Sequence, residues 1–265
     1  MDDFSVGCLG TSGWLATETR ESACFLVSFA DSMIILDAGS GMKRLLHPPE
    51  VFRRAREVHL FLSHYHLDHT IGLTYAPAVF RGKKVTLYLP SERLSGVKPD
   101  VFLSTVFGSF LFPVRLQNLP FDWSVKEYDE GDLRLGRVGG RVWRQMHTPF
   151  SAGVVLEERI GYMTDTVYEP RLAEQVKNLP LLLVAVMFDQ IGVGNPPDLS
   201  HNGHMTNEGV RAILRVARPD RAYAIHISPL YEPEERSRLV AGLRADGIPI
   251  EEAVDGQWIP TAPRS

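Results

Sequence analysis

Three histidines and an aspartate fall within the six residues His64-Tyr65-His66-Leu67-Asp68-His69. Neutral imidazole nitrogens and carboxylate oxygens are donors that suit zinc and other borderline divalent ions, so the chemistry open to this segment is metal binding. Without an ion to share, so many clustered imidazoles would repel one another on protonation and cost stability. His64 and His66 stand two apart, and in an extended chain they point the same way. Asp68 and His69 are adjacent where the chain is expected to turn into a helix, so their side chains diverge from the first pair. They can serve a second, neighbouring ion.

The elements that must position this cluster are readable on either side of it. Val58 to Leu62 has the apolar character of a buried strand and Thr70 to Val79 that of a helix, which puts the cluster in a strand-to-helix turn. Phe4 to Cys8, Ala23 to Phe29, Met33 to Leu36 and Val85 to Leu89 are expected as further strands. Val51 to Glu57, Asn207 to Ala217 and Glu232 to Leu243 carry helical spacing, and the alternation makes an α/β layout. Leu133 to His147, and the pair Gly153 to Leu156 and Ile160 to Met163, are expected as hairpin strands, so the sheet should be mixed. From Val97 to Leu119 neither period fits. This segment, with Phe102, Phe107, Phe110 and Phe112, is expected to form a lid or cap, its rings either packing or touching substrate.

Composition narrows the function classes. With 265 residues, 44% hydrophobic and 23% charged, the chain is neither disordered nor fibrous, and one domain over residues 1–265 is expected because no flexible linker interrupts it. Lys and Arg number 28 against 32 Asp and Glu, a formal net charge of -4, which speaks against general nucleic-acid binding. No leader-like segment and no long apolar run is present, so no membrane partner is expected. The two cysteines, Cys8 and Cys24, are too few for a disulfide scaffold and point to a reducing, cytoplasmic setting.

The pattern His64-x-His66-x-Asp68-His69 resembles the signature motif of the metallo-β-lactamase fold hydrolases. The resemblance implies a four-layer αββα sandwich with two mixed sheets. It also implies further ligands at later strand ends, matched by His147 after Arg141 to Met146, Asp165 after Ile160 to Thr164, and His226 after Ala222 to Ile225. On that basis His64, His66 and His147 would hold a first metal, Asp68, His69 and His226 a second, and Asp165 would bridge them. Asp37, in Ile34-Ile35-Leu36-Asp37-Ala38-Gly39, matches an early aspartate that supports ligands without binding metal.

Within the family, no cysteine stands at the position used by two-zinc β-lactamases, and His66 departs from the glutamate of the flavin-partnered di-iron branch. Leu9-Gly10-Thr11-Ser12-Gly13, Thr17-Glu18-Thr19-Arg20 and Gly203-His204-Met205-Thr206 are similar to the ribonuclease Z and cyclic-nucleotide phosphodiesterase branch. There the histidine matched by His204 contacts the scissile phosphate, in partnership with a glutamate. The corresponding stretch here, Val184 to Phe188, holds no carboxylate before Asp189, so His204 would work alone or with Asp189. Only 35 residues separate Asp165 from His201, too few for the RNA-gripping arm of ribonuclease Z-like proteins, and Arg81-Gly82-Lys83-Lys84 is an ordinary basic loop.

The expected protein is therefore a hydrolase with two divalent ions, zinc first and Mn, Fe or Co as alternatives. Such ions share a water and lower its pKa towards neutrality, and the resulting hydroxide attacks a small phosphodiester such as a cyclic nucleotide. His204, Asp165 and Asp68 would form the catalytic centre, Asp68 as a ligand rather than a free base. The alternatives are a lactonase or thioesterase, and a metal-containing binding module without turnover. Trp14 or the Phe102 to Phe112 segment is a candidate for either a homodimer interface or a lid.

Overall fold

The computed structural model describes residues 4–29, 32–187, 203–245 and 247–261. A first sheet is built from β1 (Phe4–Gly10), β2 (Cys24–Phe29), β3 (Ser32–Leu36), β4 (Glu57–Phe61), β5 (Lys84–Pro90) and β6 (Asp122–Tyr128). A second contains β7 (Gly131–Leu135), β8 (Val138–Gln145), β9 (Ser151–Leu156), β10 (Ile160–Met163), β11 (Leu181–Ala185), β12 (Ala222–Ile225) and β13 (Ile250–Glu252). The last strand, β14 (Trp258–Pro260), returns to pair with β1, so the first sheet runs β14-β1-β2-β3-β4-β5-β6 and the second β13-β12-β11-β10-β9-β8-β7. Both sheets are mixed. β3 to β6 and β10 to β13 run parallel, and the β1-β2-β3 and β7 to β10 hairpins run antiparallel.

Strict alternation of apolar residues dictates the layering. In β2 and β3, Phe25, Val27, Ile34 and Leu36 belong to the core between the sheets, while Leu26, Met33 and Ile35 belong to the outer core. Strands that are apolar on both faces need cover on both faces. Helix Asn207–Ala217 and helix Pro233–Arg244 cover the second sheet through Val210, Ile213, Leu239 and Leu243, and shorter helical pieces cover the first through Met42, Phe52 and Phe80. The result is the αββα sandwich. Among the described residues no helix is long and apolar enough to cross a membrane.

Two expectations about helices need correction. Thr70 to Val79 is not one helix: the chain makes 3-10 turns at Leu67–His69 and Ile71–Tyr75 and a single α turn at Ala76–Val79. The backbone bonds are diverted to the loop after β3, with Gly72 N donating to Ala38 O at 2.7 Å and Ala38 N to His69 O at 2.8 Å. A side chain at Gly72 would collide with the carbonyl of Gly39, so the turn and the β3 exit are locked together. The helix begun at Glu50 ends at Arg54, because Ala55 is already extended towards β4.

In the 97–119 segment, Pro99–Val106 is a helix, and Phe102 and Phe107 are buried against the first sheet. These two rings take the packing role, whereas Phe110 is 96% exposed. Phe102 stacks on Tyr65 with centroids 4.0 Å apart, which ties the segment to the His64–His66 strand end.

Candidate metal centre

Parallel strands deliver their carboxyl ends to one edge of a sheet, and the loops beyond those ends form the site. β3 delivers Asp37, β4 delivers Ser63 to His69, β8 delivers His147, β10 delivers Asp165 and β12 delivers His226. Donor atoms of His64, His66, His147 and Asp165 lie within 4.8 Å of one another, and so do those of Asp68, His69, Asp165 and His226. Asp165 belongs to both groups. Its Oδ2 lies 3.4 Å from His147 Nε2, 3.5 Å from His69 Nε2 and 3.8 Å from His64 Nε2, and its Oδ1 lies 3.1 Å from His226 Nε2.

The hydrogen bonds behind the donors orient them. Asp37, fully buried at φ +58°, accepts from Ser63 N at 2.6 Å through Oδ1. Its Oδ2 accepts from Ser63 Oγ (2.7 Å), His69 Nδ1 (2.7 Å) and Tyr162 OH (2.6 Å). Since Ser63 Oγ donates to Asp37, it accepts from His64 Nδ1 at 2.9 Å. His147 Nδ1 donates to Gly203 O at 3.0 Å. In their neutral forms His64, His69 and His147 therefore each turn a lone pair on Nε2 into the cluster. His64 Nε2 is buried with no hydrogen-bond partner. An orphaned, correctly polarised nitrogen beside carboxylate oxygens is what an N/O site for divalent ions requires, so the residues present fit such ions.

Close backbone approaches complete the walls. A Cβ at Gly13 would stand 2.6 Å from His226 Nδ1, and one at Gly203, which has φ +70°, would collide with His147 Nδ1. Trp14 N donates to Asp68 Oδ2 at 3.0 Å, holding the N-terminal loop to the cluster. His226 itself has φ +54°, a strained conformation for a side chain of its size.

His204 belongs to neither donor group. It stands beside them, stacked on His226 with centroids 5.5 Å apart and with Nδ1 3.9 Å from Asp165 Oδ2. Asp189 lies outside the described residues. Ser63, Tyr162 and the carbonyl of Gly203 were not singled out by the sequence. A buried serine ahead of His64 in a ligand-rich turn was the one available signal, and nothing local marks Tyr162. The cysteines take no part: both are buried away from the cluster, and burial pushes the Cys8 thiol up to about 12.

Charge in the metal-free cluster is divided. Burial pushes His64 and His147 below their ordinary values and His204 down to about 4. Burial also works against charge on His69, but Asp68, Asp165 and Asp37 overcome it and raise that imidazole well above its usual range. Asp165 and Asp68 resist the same burial and are held well below the carboxylate range by the surrounding imidazoles. Unfolded histidines take up protons near pH ~6.5, so the three depressed imidazoles make metal-free stability fall as pH drops from there towards about 4. His69 acts in the other sense: its contribution is complete below ~6.5 and is lost as pH rises through its raised folded value. The Tm of the metal-free protein is expected to pass through a maximum near neutrality, and divalent-ion affinity to strengthen with pH as the His69 proton is displaced. A Tm climbing steadily into the alkaline range would contradict this arrangement.

Known proteins resemble the chain along most of its length. Residues 32–227 match the beta-lactamase superfamily domain. The ribonuclease Z of Phocaeicola vulgatus is 23% identical over 283 residues, spanning 88% of this chain and 90% of that protein. Among solved structures, the metallo-beta-lactamase fold protein YhfI from Bacillus subtilis superposes with a TM-score of 0.74 at 16% identity, covering 98% of this chain and 100% of the other. A diphosphatase from the PhnP family superposes at 0.72 and 17% identity, covering 97% of each chain. With two facing mixed sheets, two His/Asp donor groups at their edge and this match, the chain belongs to the beta-lactamase superfamily and is a metal-dependent hydrolase of the metallo-β-lactamase fold.

Proposed function

We propose that the protein is a two-metal phosphodiesterase acting on a small phosphodiester. The observation that carries this reading is the pair of donor groups that share Asp165, with His204 standing beside the shared carboxylate. Divalent ions held there would supply a water of lowered pKa and Lewis-acid stabilisation of a phosphoryl group. His64, His66 and His147 would hold one ion, Asp68, His69 and His226 the other, and Asp165 both. Asp37 and Ser63 keep the imidazoles in the tautomers that ligation needs, and Gly203 O does the same for His147.

His204 is the candidate for contact with substrate. Its side chain is 16% exposed, so it reaches solvent from beside the cluster. With its value at about 4 it is neutral near pH 7 and acts as a hydrogen-bond donor to a developing phosphoryl or leaving-group oxygen, not as an imidazolium. His204→Ala is expected to lower kcat on bis(p-nitrophenyl) phosphate by roughly 10²-fold while metal content per chain stays unchanged. Equal loss of metal and rate would make His204 a ligand instead.

A ribonuclease Z relative and a diphosphatase of similar fold both support phosphorus over acyl carbon as the reacting centre. The chain's net charge of -4 favours a small ester over RNA. The test is metal analysis by mass spectrometry, paired with turnover of bis(p-nitrophenyl) phosphate, a lactone, a thioester and a short RNA before and after chelation. Chelator-sensitive hydrolysis of the phosphodiester with two ions per chain is the expected result. Turnover confined to the acyl substrates, or RNA cleavage exceeding that of the small ester, would overturn the reading.

A further inference from the structure

A surface cavity of about 660 Å³ lies away from the metal-ligand cluster. It opens at the beginnings of β3 and β4, the ends opposite those that carry Asp37 and His64, and the turn between β7 and β8 at Gly136 and Arg137 closes one side. Met33, Val51 and Ala55 give it an apolar wall, and His59, Arg56 and Arg137 are among its polar groups. His59 is only 7% exposed, and its Nδ1 has no hydrogen-bond partner. Gly136, at φ +62°, packs directly on the other ring nitrogen, where any side chain would collide with it. Burial holds the imidazole below its ordinary value, so it is neutral near pH 7 and offers a hydrogen bond without needing a counter-ion.

Three arginines, Arg54, Arg56 and Arg137, line the cavity against two glutamates, Glu50 and Glu57, which leaves an excess of positive charge. Glu50 is paired with Arg53 and Arg54, and Glu57 with Lys84. Arg56 and Arg137 at the cavity make no ion-pair contact among the described residues, although Arg137 lies near enough to help Lys84 hold the Glu57 carboxyl low, and Lys126, which lies over the Tyr88 ring that meets His59 edge-on, makes none either. Unpaired guanidinium groups favour oxyanions, which they bind through paired N–H donors. The volume is within the range of small-molecule sites, ~300–1,000 Å³. A polyanion would instead track an extended groove.

We propose that this cavity is a second binding site, separate from the metal centre, for a small organic anion. Arg56 and Arg137 take its phosphate or carboxylate group, the unpartnered His59 nitrogen makes a hydrogen bond to it, and its apolar body lies against Met33, Val51 and Ala55. The test is calorimetric titration of the metal-loaded protein with phenyl phosphate and, separately, with benzoate. Both arginines are exposed and make no ion-pair contact among the described residues, so the Arg56→Ala/Arg137→Ala double variant should fold normally and hydrolyse bis(p-nitrophenyl) phosphate at the wild-type rate. It is expected to bind the preferred probe at least about tenfold more weakly, whereas His66→Ala retains that binding. Whichever probe loses more affinity identifies the anion as phosphate or carboxylate. Identical isotherms for wild type and the double variant, or binding lost only in His66→Ala, would overturn the proposal. Tighter, arginine-dependent binding of a single-stranded RNA would overturn it as well, by assigning the patch to a polyanion.

Discussion

Asp165→Ala is expected to lower kcat/KM on bis(p-nitrophenyl) phosphate by ~10³-fold or more, about 4 kcal/mol of transition-state stabilisation. On the proposed two-ion site, metal content should fall to one ion per chain or fewer. The size of the effect follows from position. One carboxylate oxygen faces His64, His69 and His147 and the other faces His226, so a single substitution removes a donor from both groups. It also removes a negative charge that helps hold the buried His69 imidazole protonated, so the metal-free protein should lose stability together with activity. Circular dichroism separates the two effects, because a folded variant that has lost metal and rate supports the shared-ligand role. Full occupancy by two ions with wild-type turnover would exclude it.

The second large effect is expected at Asp37, which belongs to neither donor group. Asp37→Ala would strand Ser63 N, Ser63 Oγ, Tyr162 OH and His69 Nδ1 in a fully buried environment. Leaving that many buried donors unsatisfied costs ~3–5 kcal/mol, a fall in Tm of roughly 10 °C for a chain of this size. Because Asp37 orients His69 directly and His64 through Ser63, zinc affinity should weaken at both donor groups, by ~10–100-fold at each. Tyr162→Phe removes only one of the four bonds and serves as the comparison: about 1 kcal/mol in thermal unfolding, with zinc binding nearly intact. Equal effects of the two substitutions would show that Asp37 acts through Tyr162 alone.

The His64–His69 cluster was readable because its information is local. Donor types and a spacing of two residues in extended chain suffice to aim His64 and His66 alike, and the apolar run before them is a strand in any fold that buries it. The same holds for β2, β3 and β5, whose double-sided apolar alternation requires cover on both faces and so makes a layered α/β protein. Local pattern misjudged Thr70 to Val79, where Gly72 trades helical bonds for bonds to the β3 exit. It also left the 97–119 aromatics undecided, since only the tertiary contact with Tyr65 and the outer core separates Phe102 and Phe107 from Phe110.

What the residues determined alone was therefore the class of chemistry, the strand ends that could carry it and the layered fold that would present them. The tertiary structure decided that His147, Asp165 and His226, which are 81, 99 and 160 positions beyond His66, converge on the same few ångströms as the cluster. It also decided which nitrogen of His64, His69 and His147 faces inward, through Ser63, Asp37 and Gly203 O. Those outcomes depend on how two sheets stack and on hydrogen bonds between residues far apart in the chain, and no periodicity of a single segment encodes either.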